Sequence, residues 1–316
     1  MKGDLPNRGS ARSGPEVVST RAALREVLEG WRADRRRIAL VPTMGALHPG
    51  HLSLVEVAKP ETDAVVMSIF VNPLQFGPDE DLERYPRDLD RDIARAGAAG
   101  VELVFAPPPG EVFPEGPPRV RVDPGELGSR LCGRHRPGHF SGVLTIVAKL
   151  LGLFRPDVAV FGRKDFQQAV LIRRMVTDLD LPVEIRVGSL VREADGLALS
   201  SRNAYLSLEE RGEALLLNQA LARVSEAFEK GESAAGRLLA PAVELLRSRG
   251  SLDLQYLEIV EPHTLEPASV ARSGDVAAVA ALVGTTRLID NMVLGASEPD
   301  PRVEEPHFSS AAGGAG

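Results

Sequence analysis

The alternation of short apolar runs with helix-like segments constrains the fold of this chain more than any other feature. Apolar runs at residues 38–41, 64–71, 101–106, 158–161 and 183–187 are separated by segments with apolar residues at helical spacing. Short continuous apolar runs are typical of strands buried on both faces, and such strands alternate with helices in right-handed βαβ units. The pattern therefore predicts an α/β fold: a Rossmann-like, doubly wound, mainly parallel sheet.

The pattern changes after about residue 190. A polar stretch at residues 191–203 is followed by two long helical patterns and three strand-like runs. From this change we predict two domains. A Rossmann-like domain spans residues 16–190, and a smaller α+β lid domain spans residues 191–296.

Composition narrows the functional classes. The formal net charge of −7 argues against a nucleic-acid binder driven by phosphate contacts. Cys132 is the only cysteine, which excludes a disulfide framework, fits a reducing compartment and predicts a cytoplasmic protein. No apolar run is long enough to cross a bilayer, so no membrane association is expected. The segments 1–15 and 297–316 are rich in small and polar residues and are predicted to be disordered tails.

Residues 41–51 form the strongest candidate site. An apolar run enters a glycine-containing turn and then a helix-like segment, and this arrangement presents backbone N–H groups and the positive end of a helix to a ligand, which favours phosphate. His48 and His51, three residues apart, add donors on one helical face. The turn and the spacing are equally compatible with an ordinary connection that carries two surface histidines.

Two further segments are suited to phosphate. Lys164 and Asp165 follow a predicted strand, where a lysine offers a compact cation. Ser200, Ser201 and Arg202 offer two hydroxyl groups and a guanidinium. Neither signal is specific alone, because a Lys-Asp pair is usually a solvated turn and a Ser-Ser-Arg run is usually a linker.

A structural zinc site is an alternative for the second histidine pair. His135 and His139 are four residues apart, and Cys132 is near. Pro137 and Gly138 interrupt the helix that this spacing requires, and no nearby carboxylate completes the set. We therefore predict no protein-bound metal at these residues, and none at His48 and His51.

Five separated motifs resemble those of the pantothenate synthetase family, the pantoate–β-alanine ligases of the nucleotidyltransferase superfamily with the two-histidine signature. They occur in order at residues 42–51, 69–76, 136–140, 164–168 and 195–203. The resemblance runs from about residue 19 to residue 295 and includes the family-like segment 287–291, so that only the tails lie outside it.

The resemblance implies a ligase that condenses pantoate with β-alanine through a pantoyl adenylate, in pantothenate biosynthesis. ATP would be the co-substrate, with Mg²⁺, and AMP and pyrophosphate the other products. The resemblance also implies a homodimer.

The resemblance assigns roles to residues that match the motifs. The implied catalytic residues are His48, His51, Lys164, Ser201 and Arg202. The implied nucleotide contacts are Pro42, Met44, Gly45, Gly50, Gly162, Lys164, Asp165, Val191, Ser200, Ser201 and Arg202. The implied substrate contacts are Gln75 and Gln168 for pantoate, with Asn72, Arg136 and His139 around the β-alanine path.

The residue types suit this chemistry. Attack of a carboxylate on the α-phosphate develops charge on the phosphate oxygens and on departing pyrophosphate, which fixed donors and cations stabilise. Gly45 and Gly50 are expected to let the backbone approach the nucleotide. Amides such as Gln75 suit the hydroxyl-rich pantoate. The second domain is expected to close over the reactive adenylate and exclude water.

Two positions depart from the family pattern. Arg163 stands where the family has Glu or Gln, which adds positive charge beside the phosphate site. Pro49 stands where Glu is common, and proline is well tolerated in the first turn of a helix.

Two alternative functions remain at the level of sequence. A nucleotidyltransferase acting on a phosphorylated alcohol would share the fold and the two-histidine turn but release no AMP. Gln75, Gln168 and the segment 200–202 favour the ligase. A catalytically silent nucleotide-binding or interaction protein would be expected to lack at least one phosphate-contacting residue, and here all are present.

Overall fold

The computed structural model describes residues 14–78, 80–248 and 252–295. The tails predicted at residues 1–15 and 297–316 therefore lie outside the described residues, except for residues 14 and 15.

Six strands in the first part of the chain form one parallel sheet. They are β1 (Glu16–Val18), β2 (Ile38–Thr43), β3 (Ala64–Ile69), β4 (Leu103–Phe105), β5 (Val158–Gly162) and β6 (Glu184–Gly188). Their spatial order is β1-β4-β3-β2-β5-β6, and every neighbouring pair is parallel. The predicted parallel α/β sheet is confirmed. The sequence pattern missed β1, because three residues at the sheet edge are too few to show a period.

Seven helices, listed in chain order, accompany this sheet in the described residues. They are α1 (Arg21–Ala33), α2 (Pro49–Ala58), α3 (Leu89–Ala98), α4 (Pro109–Val112), α5 (Leu131–His135), α6 (His139–Phe154) and α7 (Phe166–Asp178). Thr20 caps α1 by accepting a hydrogen bond from the backbone N–H of Ala23 at 3.2 Å. A threonine hydroxyl commonly caps a helix in this way.

Both faces of the parallel sheet are buried, which explains why its strands are continuously apolar. On β2, Ala39 and Val41 belong to the core formed with α2 and α3, whereas Ile38 and Leu40 belong to the core that contains residues of α1, α6 and α7. Because side chains alternate across a strand, one strand supplies two cores. The helices therefore cover both faces, as in a doubly wound fold.

A second, antiparallel sheet lies towards the end of the chain. Its strands are β7 (Leu252–Val260), β8 (Val276–Val283) and β9 (Thr286–Val293), in that spatial order, and the preceding helices are α8 (Leu208–Glu229) and α9 (Ala235–Arg247). On β8, Ala277 and Val279 pack into the core formed with α8 and α9. Ala278 and Ala280 face the opposite way and join the core of the parallel sheet. The small sheet is therefore packed against the larger part of the protein.

Two segments between β4 and β5 contain short helices. The proline-rich segment 107–118 contains α4, which begins at Pro109, since proline is pre-organised for the first helical position. The segment around His135 and His139 is divided between α5 and α6, with Gly138 in the left-handed region at φ 80°. Among the described residues, no helix is both long and apolar enough to cross a membrane.

The order of the strands defines where a ligand can bind. The chain passes from β2 to β3 on one side, whereas β5 pairs with β2 on the other side. In doubly wound sheets, a crevice opens at the carboxyl ends of the strands where the order reverses. The ends of β2 and β5 are therefore the expected location of a binding site.

Gly142 packs α6 closely against the segment that follows β3. A Cβ atom at Gly142 would lie 2.1 Å from the carbonyl oxygen of Leu74 and 2.8 Å from the backbone nitrogen of Gln75. The carbonyl oxygen of Gly142 also accepts a hydrogen bond from the Asn72 amide at 3.2 Å. Glycine at this position therefore fixes the distance between α6 and the Asn72–Gln75 segment.

We predict that Gly142→Ala lowers the free energy of unfolding by about 1–3 kcal/mol, because the backbone of residues 74–75 has to move. Gly152→Ala is the matched control in the same helix, since nothing lies within 4 Å of its added Cβ. This control should be neutral or stabilising by up to about 1 kcal/mol. Urea denaturation of both variants tests the packing, and equal stabilities for the two variants would contradict it.

Candidate active site

A cleft opens at the carboxyl ends of β2 and β5, where the strand order reverses. All predicted site residues except Gly45 line it: Pro42, Met44, His48, Gly50, His51, Asn72, Gln75, Arg136, His139, Gly162, Lys164, Asp165, Gln168, Val191, Ser200, Ser201 and Arg202. These residues come from distant parts of the sequence, and the parallel sheet brings them together.

The turn between β2 and α2 is held by a carboxylate from α3. Asp92 accepts hydrogen bonds from the backbone N–H groups of Ala46 at 2.8 Å and Leu47 at 2.7 Å. Arg95, one turn further along α3, donates to the carbonyl oxygen of Leu47. The turn requires left-handed backbone angles at Gly45 (φ 83°) and Ala46 (φ 49°). Left-handed angles are costly for Ala46, which has a Cβ atom. The Asp92 carboxylate supplies hydrogen-bond acceptors for the two backbone N–H groups of this conformation.

His48 and His51 begin α2. His48 is the N-cap, Pro49 is the first helical residue and His51 is the third. The backbone N–H of His48 donates to Nδ1 of His51 at 3.3 Å, so the neutral His51 ring carries its proton on Nε2. The two ring centroids are 4.0 Å apart. Nδ1 of His48 is buried and has no hydrogen-bond partner among the described residues.

Both histidines are neutral near pH 7. Burial lowers the pKa of His48 to about 2, with further contributions from His51 and Lys164. Burial also lowers the pKa of His51 to about 4, where Asp165 and Lys164 act in opposite directions. The pair can therefore donate or accept hydrogen bonds without adding positive charge.

The glycines of this turn have protein neighbours that the sequence did not indicate. A Cβ at Gly45 would lie 2.8 Å from Oδ2 of Asp92, and a Cβ at Gly50 would lie 3.0 Å from two atoms of the His48 ring. Both positions thus need glycine for the packing of the turn itself, in addition to any approach by a ligand.

Lys164 and Gln168 have side chains that are open to the cleft. Lys164 lies in a short 3₁₀ turn, Arg163–Asp165, between β5 and α7, and Gln168 lies in the first turn of α7. Within the described residues, neither the Lys164 ammonium nor the Gln168 amide has a hydrogen bond or an ion pair with another side chain. A cation and an amide are therefore available to a ligand.

A network around Gln75 organises the opposite wall. The Asn72 amide, which is 1% exposed, donates to Oε1 of Gln75 at 3.0 Å, and the Gln75 amide donates to the sulfur of Met44 at 3.0 Å. His139 donates from Nδ1 to the carbonyl oxygen of Gln75 at 2.8 Å and accepts at Nε2 from Arg136 at 3.0 Å. Burial and the adjacent Arg136 lower the pKa of His139 to about 4.

Both arginines of the predicted site are paired with neighbouring acidic residues. Arg136 forms two hydrogen bonds with Glu80 at 2.6 and 2.5 Å. Arg202 forms two with Asp81, at 2.9 and 2.7 Å. Burial alone would lower the pKa of Arg202, and the hydrogen bonds and charge of Asp81 outweigh it and raise the pKa. An anionic ligand would have to compete with these carboxylates for either guanidinium.

Ser200, Ser201 and Arg202 form an ordered turn rather than an irregular loop. Ser200 is the N-cap of a short 3₁₀ helix, Ser201–Tyr205, and its hydroxyl accepts from the backbone N–H of Arg202 at 3.3 Å. The Ser201 hydroxyl lies 3.0 Å from the hydroxyl of Tyr85. The capping hydroxyl explains why this polar run is ordered.

Comparison with known families decides the relationship of this chain. The family model described as pantoate-β-alanine ligase matches residues 16–293. The chain belongs to the pantoate–β-alanine ligase family. The resemblance of the five sequence motifs is therefore confirmed over nearly the whole folded part.

Individual relatives support the same conclusion. Pantothenate synthetase 1 of Bradyrhizobium diazoefficiens is 51% identical over 280 residues, which cover 88% of this chain and 98% of the relative. The crystal structure of pantothenate synthetase from Thermus thermophilus has a TM-score of 0.83 at 49% identity and covers 88% of this chain and 99% of its own. A Francisella tularensis pantoate-β-alanine ligase, solved with β,γ ATP and β-alanine, has a TM-score of 0.74 at 32% identity and covers 88% and 97% of the two chains.

Several residues that line or support the ligase cleft were not identified from the sequence. Asp92 carried a usable signal, because it falls on the same helical stripe as Leu89, Ile93 and Ala96, where a carboxylate is unexpected. Tyr85 lines the cleft and contacts Ser201, but its position in an irregular segment offered no pattern. An apolar wall from α6 also went unrecognised, since its side chains read as ordinary helix core. This wall consists of Val143, Ile146, Val147 and Leu150.

The zinc alternative conflicts with the contacts of its proposed ligands. Both ring nitrogens of His139 bond to protein groups, Gln75 and Arg136. Cys132 is buried, with its sulfur 3.1 Å from the hydroxyl of Tyr256. No group of three or more potential ligands occurs among the described residues.

Stability should fall on acidification because buried histidines are kept neutral. An unfolded histidine has a pKa of about 6.5, whereas that of His139 in the folded protein is about 4. Between these values the unfolded state binds more protons, so the free energy of unfolding falls as the pH decreases from 7 towards 4. We predict that His139→Asn reduces the difference in unfolding free energy between pH 7 and pH 5 by about 2 kcal/mol.

Urea denaturation at the two pH values measures this difference. His263→Asn, at an exposed position, is the control and should keep the wild-type difference. An unchanged difference in His139→Asn would contradict the assignment of a buried, neutral imidazole.

Proposed function

We propose that the cleft condenses pantoate with β-alanine to pantothenate, with ATP as the co-substrate and a pantoyl adenylate as the intermediate. The observation that carries the proposal is the Lys164 ammonium, which has no side-chain partner among the described residues, beside two neutral histidines at the start of a helix. The family supports the ligase activity, and a relative solved with β,γ ATP and β-alanine supports these ligands.

In the first step, a pantoate carboxylate oxygen attacks the α-phosphorus of ATP and pyrophosphate leaves. Charge increases on the phosphate oxygens, where His48 and His51 donate N–H bonds and Lys164 supplies a cation. Such pre-organised donors lower the barrier without having to reorient during the reaction. Each neutral imidazole carries one N–H group that can donate a hydrogen bond to the phosphate. The histidines therefore do not need to release a proton in this step.

The nucleotide lies along the turn after β2 and the turn after β5. We assign its contacts to residues from both turns and from the segment after β6, with Ser200, Ser201 and Arg202 on the pyrophosphate side. Arg202 makes this contact by exchanging or sharing its bond with Asp81. The remaining assigned contacts are Pro42, Met44, Gly50, Gly162, Asp165 and Val191, whereas Gly45, which does not line the cleft, acts through the packing of the turn.

Pantoate lies between Gln75 and Gln168. The Gln75 amide is oriented by Asn72, and the Gln168 amide has no side-chain partner among the described residues, so both can meet the hydroxyl and carboxylate groups of pantoate. The apolar wall of α6 borders the same cleft. These contacts hold the reacting carboxylate at the nucleotide, which favours the reaction by proximity.

In the second step, the uncharged amine of β-alanine attacks the carbonyl carbon of the adenylate, and AMP leaves. We assign the entry of β-alanine to the wall formed by Asn72, Arg136 and His139. Exclusion of water protects the adenylate from hydrolysis, and we assign this shielding to the predicted lid domain, residues 191–296.

The residues present fit a Mg²⁺ ion that arrives with ATP. Mg²⁺ is commonly held by one or two carboxylates together with substrate phosphates. Asp165 lines the cleft beside Lys164 and is the carboxylate assigned to it. When bound, the ion neutralises phosphate charge.

Exchange of radiolabelled pyrophosphate into ATP, with pantoate present and β-alanine absent, tests the proposed reaction. The enzyme should show exchange that depends on pantoate, because the first step is reversible and needs no amine. A nucleotidyltransferase would instead form a dinucleotide-like product. Active protein without pantoate-dependent exchange would sink the adenylate mechanism.

Lys164→Ala should lower the exchange rate by about 10²- to 10³-fold, the loss expected for one group that stabilises developing charge. The fold should persist, because the ammonium forms no hydrogen bond or ion pair with another described side chain. Lys230→Ala is the control, at a lysine whose side chain is 79% exposed. Near-normal exchange in Lys164→Ala would refute its role.

We also propose a homodimer in the cytoplasm. The family resemblance supports the dimer, and the single cysteine, Cys132, supports a reducing compartment. Sedimentation velocity at micromolar concentration should give a mass near twice the 33.9 kDa of one chain. A monomer at that concentration would overturn the dimer.

A further inference from the structure

Asn291, on β9 of the antiparallel sheet, contacts the turn that carries Lys164. Its amide nitrogen donates to the carbonyl oxygen of Arg163 at 3.0 Å and to that of Lys164 at 3.1 Å. The residue is 4% exposed. One side chain from the small sheet therefore bonds two successive peptide groups of the cationic turn.

Asparagine suits this contact because of its chemistry. Its NH₂ group carries two donors in a fixed plane, so that both carbonyl groups can be satisfied at once. Aspartate of the same shape has no donor when ionised and would place a negative charge against two carbonyl oxygens. A residue with an apolar side chain would leave two buried acceptors to find other partners.

Asn291 is itself fixed by a buried ion pair. Asp290 accepts from Arg192 at 2.6 and 3.0 Å, and it also accepts from the backbone N–H of Asn291 at 2.7 Å. Arg192 lies four residues after the end of β6, where the chain leaves the parallel sheet, and it also donates to the carbonyl oxygen of Gly196 at 3.2 Å. Asp290 and Arg192 are both buried. The ion pair thus holds the backbone of β9 at the junction of the two sheets.

We propose that Asn291 is a positioning residue that sets the location of the Lys164 ammonium in the cleft. The two hydrogen bonds fix the peptide planes on either side of the Lys164 Cα atom and so the direction in which its side chain leaves the backbone. The antiparallel sheet then supplies part of the phosphate site without contacting the ligand. This inference rests on the proposed role of Lys164.

The position of a catalytic group matters strongly for the rate. A displacement of about 1 Å can cost about 10²-fold, even when every reacting group is still present. Loss of the Asn291 amide should therefore lower the rate of adenylate formation while leaving ATP binding nearly intact, since most of the other assigned nucleotide contacts come from the turn after β2 and from the segment after β6.

A double-mutant cycle on the purified full chain tests the proposal. Pantoate-dependent exchange of radiolabelled pyrophosphate is followed over hours, so that slow rates are measured, in the wild type, Asn291→Ala, Lys164→Ala and the double variant. Asn291→Ala should lower kcat for exchange by about 10- to 100-fold, with KM for ATP changed less than about threefold. In the Lys164→Ala background, the same change should cost less than about threefold.

Two further variants separate positioning from loss of structure. Asn291→Asp keeps the shape but not the donors, and it should lose as much exchange as Asn291→Ala. Leu288→Val leaves a small cavity in the same strand and lowers the stability without changing the turn. This variant should keep wild-type exchange below its unfolding temperature.

The outcomes distinguish the two hypotheses. Equal losses for Asn291→Ala in both backgrounds, or wild-type exchange in Asn291→Asp, would overturn the positioning role and leave the proposed reaction intact. Wild-type exchange in Lys164→Ala would instead overturn the proposed role of Lys164, on which the inference depends.

Discussion

The buried carboxylate of Asp92 is the constraint on which the site depends. It pairs the backbone N–H groups of Ala46 and Leu47, and these lie in a turn whose left-handed angles carry strain at Ala46. The turn sets where α2 begins and therefore where His48 and His51 stand. The proposed nucleotide site at the end of β2 is thus maintained by a residue of α3 that does not line the cleft.

The distribution of charge in the cleft follows a consistent pattern. Arg136 and Arg202 are neutralised by Glu80 and Asp81, and the histidines are kept neutral by burial. Lys164 alone among these groups offers an uncompensated positive charge within the described residues. Within the described residues, an incoming phosphate would thus meet the Lys164 cation, which has no side-chain partner there, and several neutral donors, and binding at the guanidinium groups requires exchange with a carboxylate. Because both arginines are paired with carboxylates, little positive charge in the cleft is removed from water without a partner.

Much of this organisation could be predicted from the sequence, for identifiable reasons. Because the strands are buried on both faces, their apolar runs could be recognised in the sequence. His48, Lys164 and Ser201 stand at the ends of such runs or at helix starts. Among the carboxylates that hold or pair these residues, only Asp92 gave a signal, as an acidic residue on the apolar stripe of its helix. Glu80 and Asp81 act through contacts between segments far apart in sequence, and the sequence does not show whether an acidic residue is solvated or paired. Asn291 was not identified either, although it lies in a family-like motif. Its partners are backbone carbonyl groups, which every residue has, so the sequence shows no pattern for this contact.

The central claim is that a pantoate carboxylate oxygen attacks the α-phosphorus of ATP. The most direct measurement uses pantoate labelled with ¹⁸O in its carboxylate, with unlabelled ATP and β-alanine, followed by mass spectrometry of the products. The account predicts one ¹⁸O atom in AMP, because the bridging oxygen of the adenylate leaves with the phosphate, and none in pyrophosphate. AMP without label, or label in pyrophosphate, would contradict attack at the α-phosphorus.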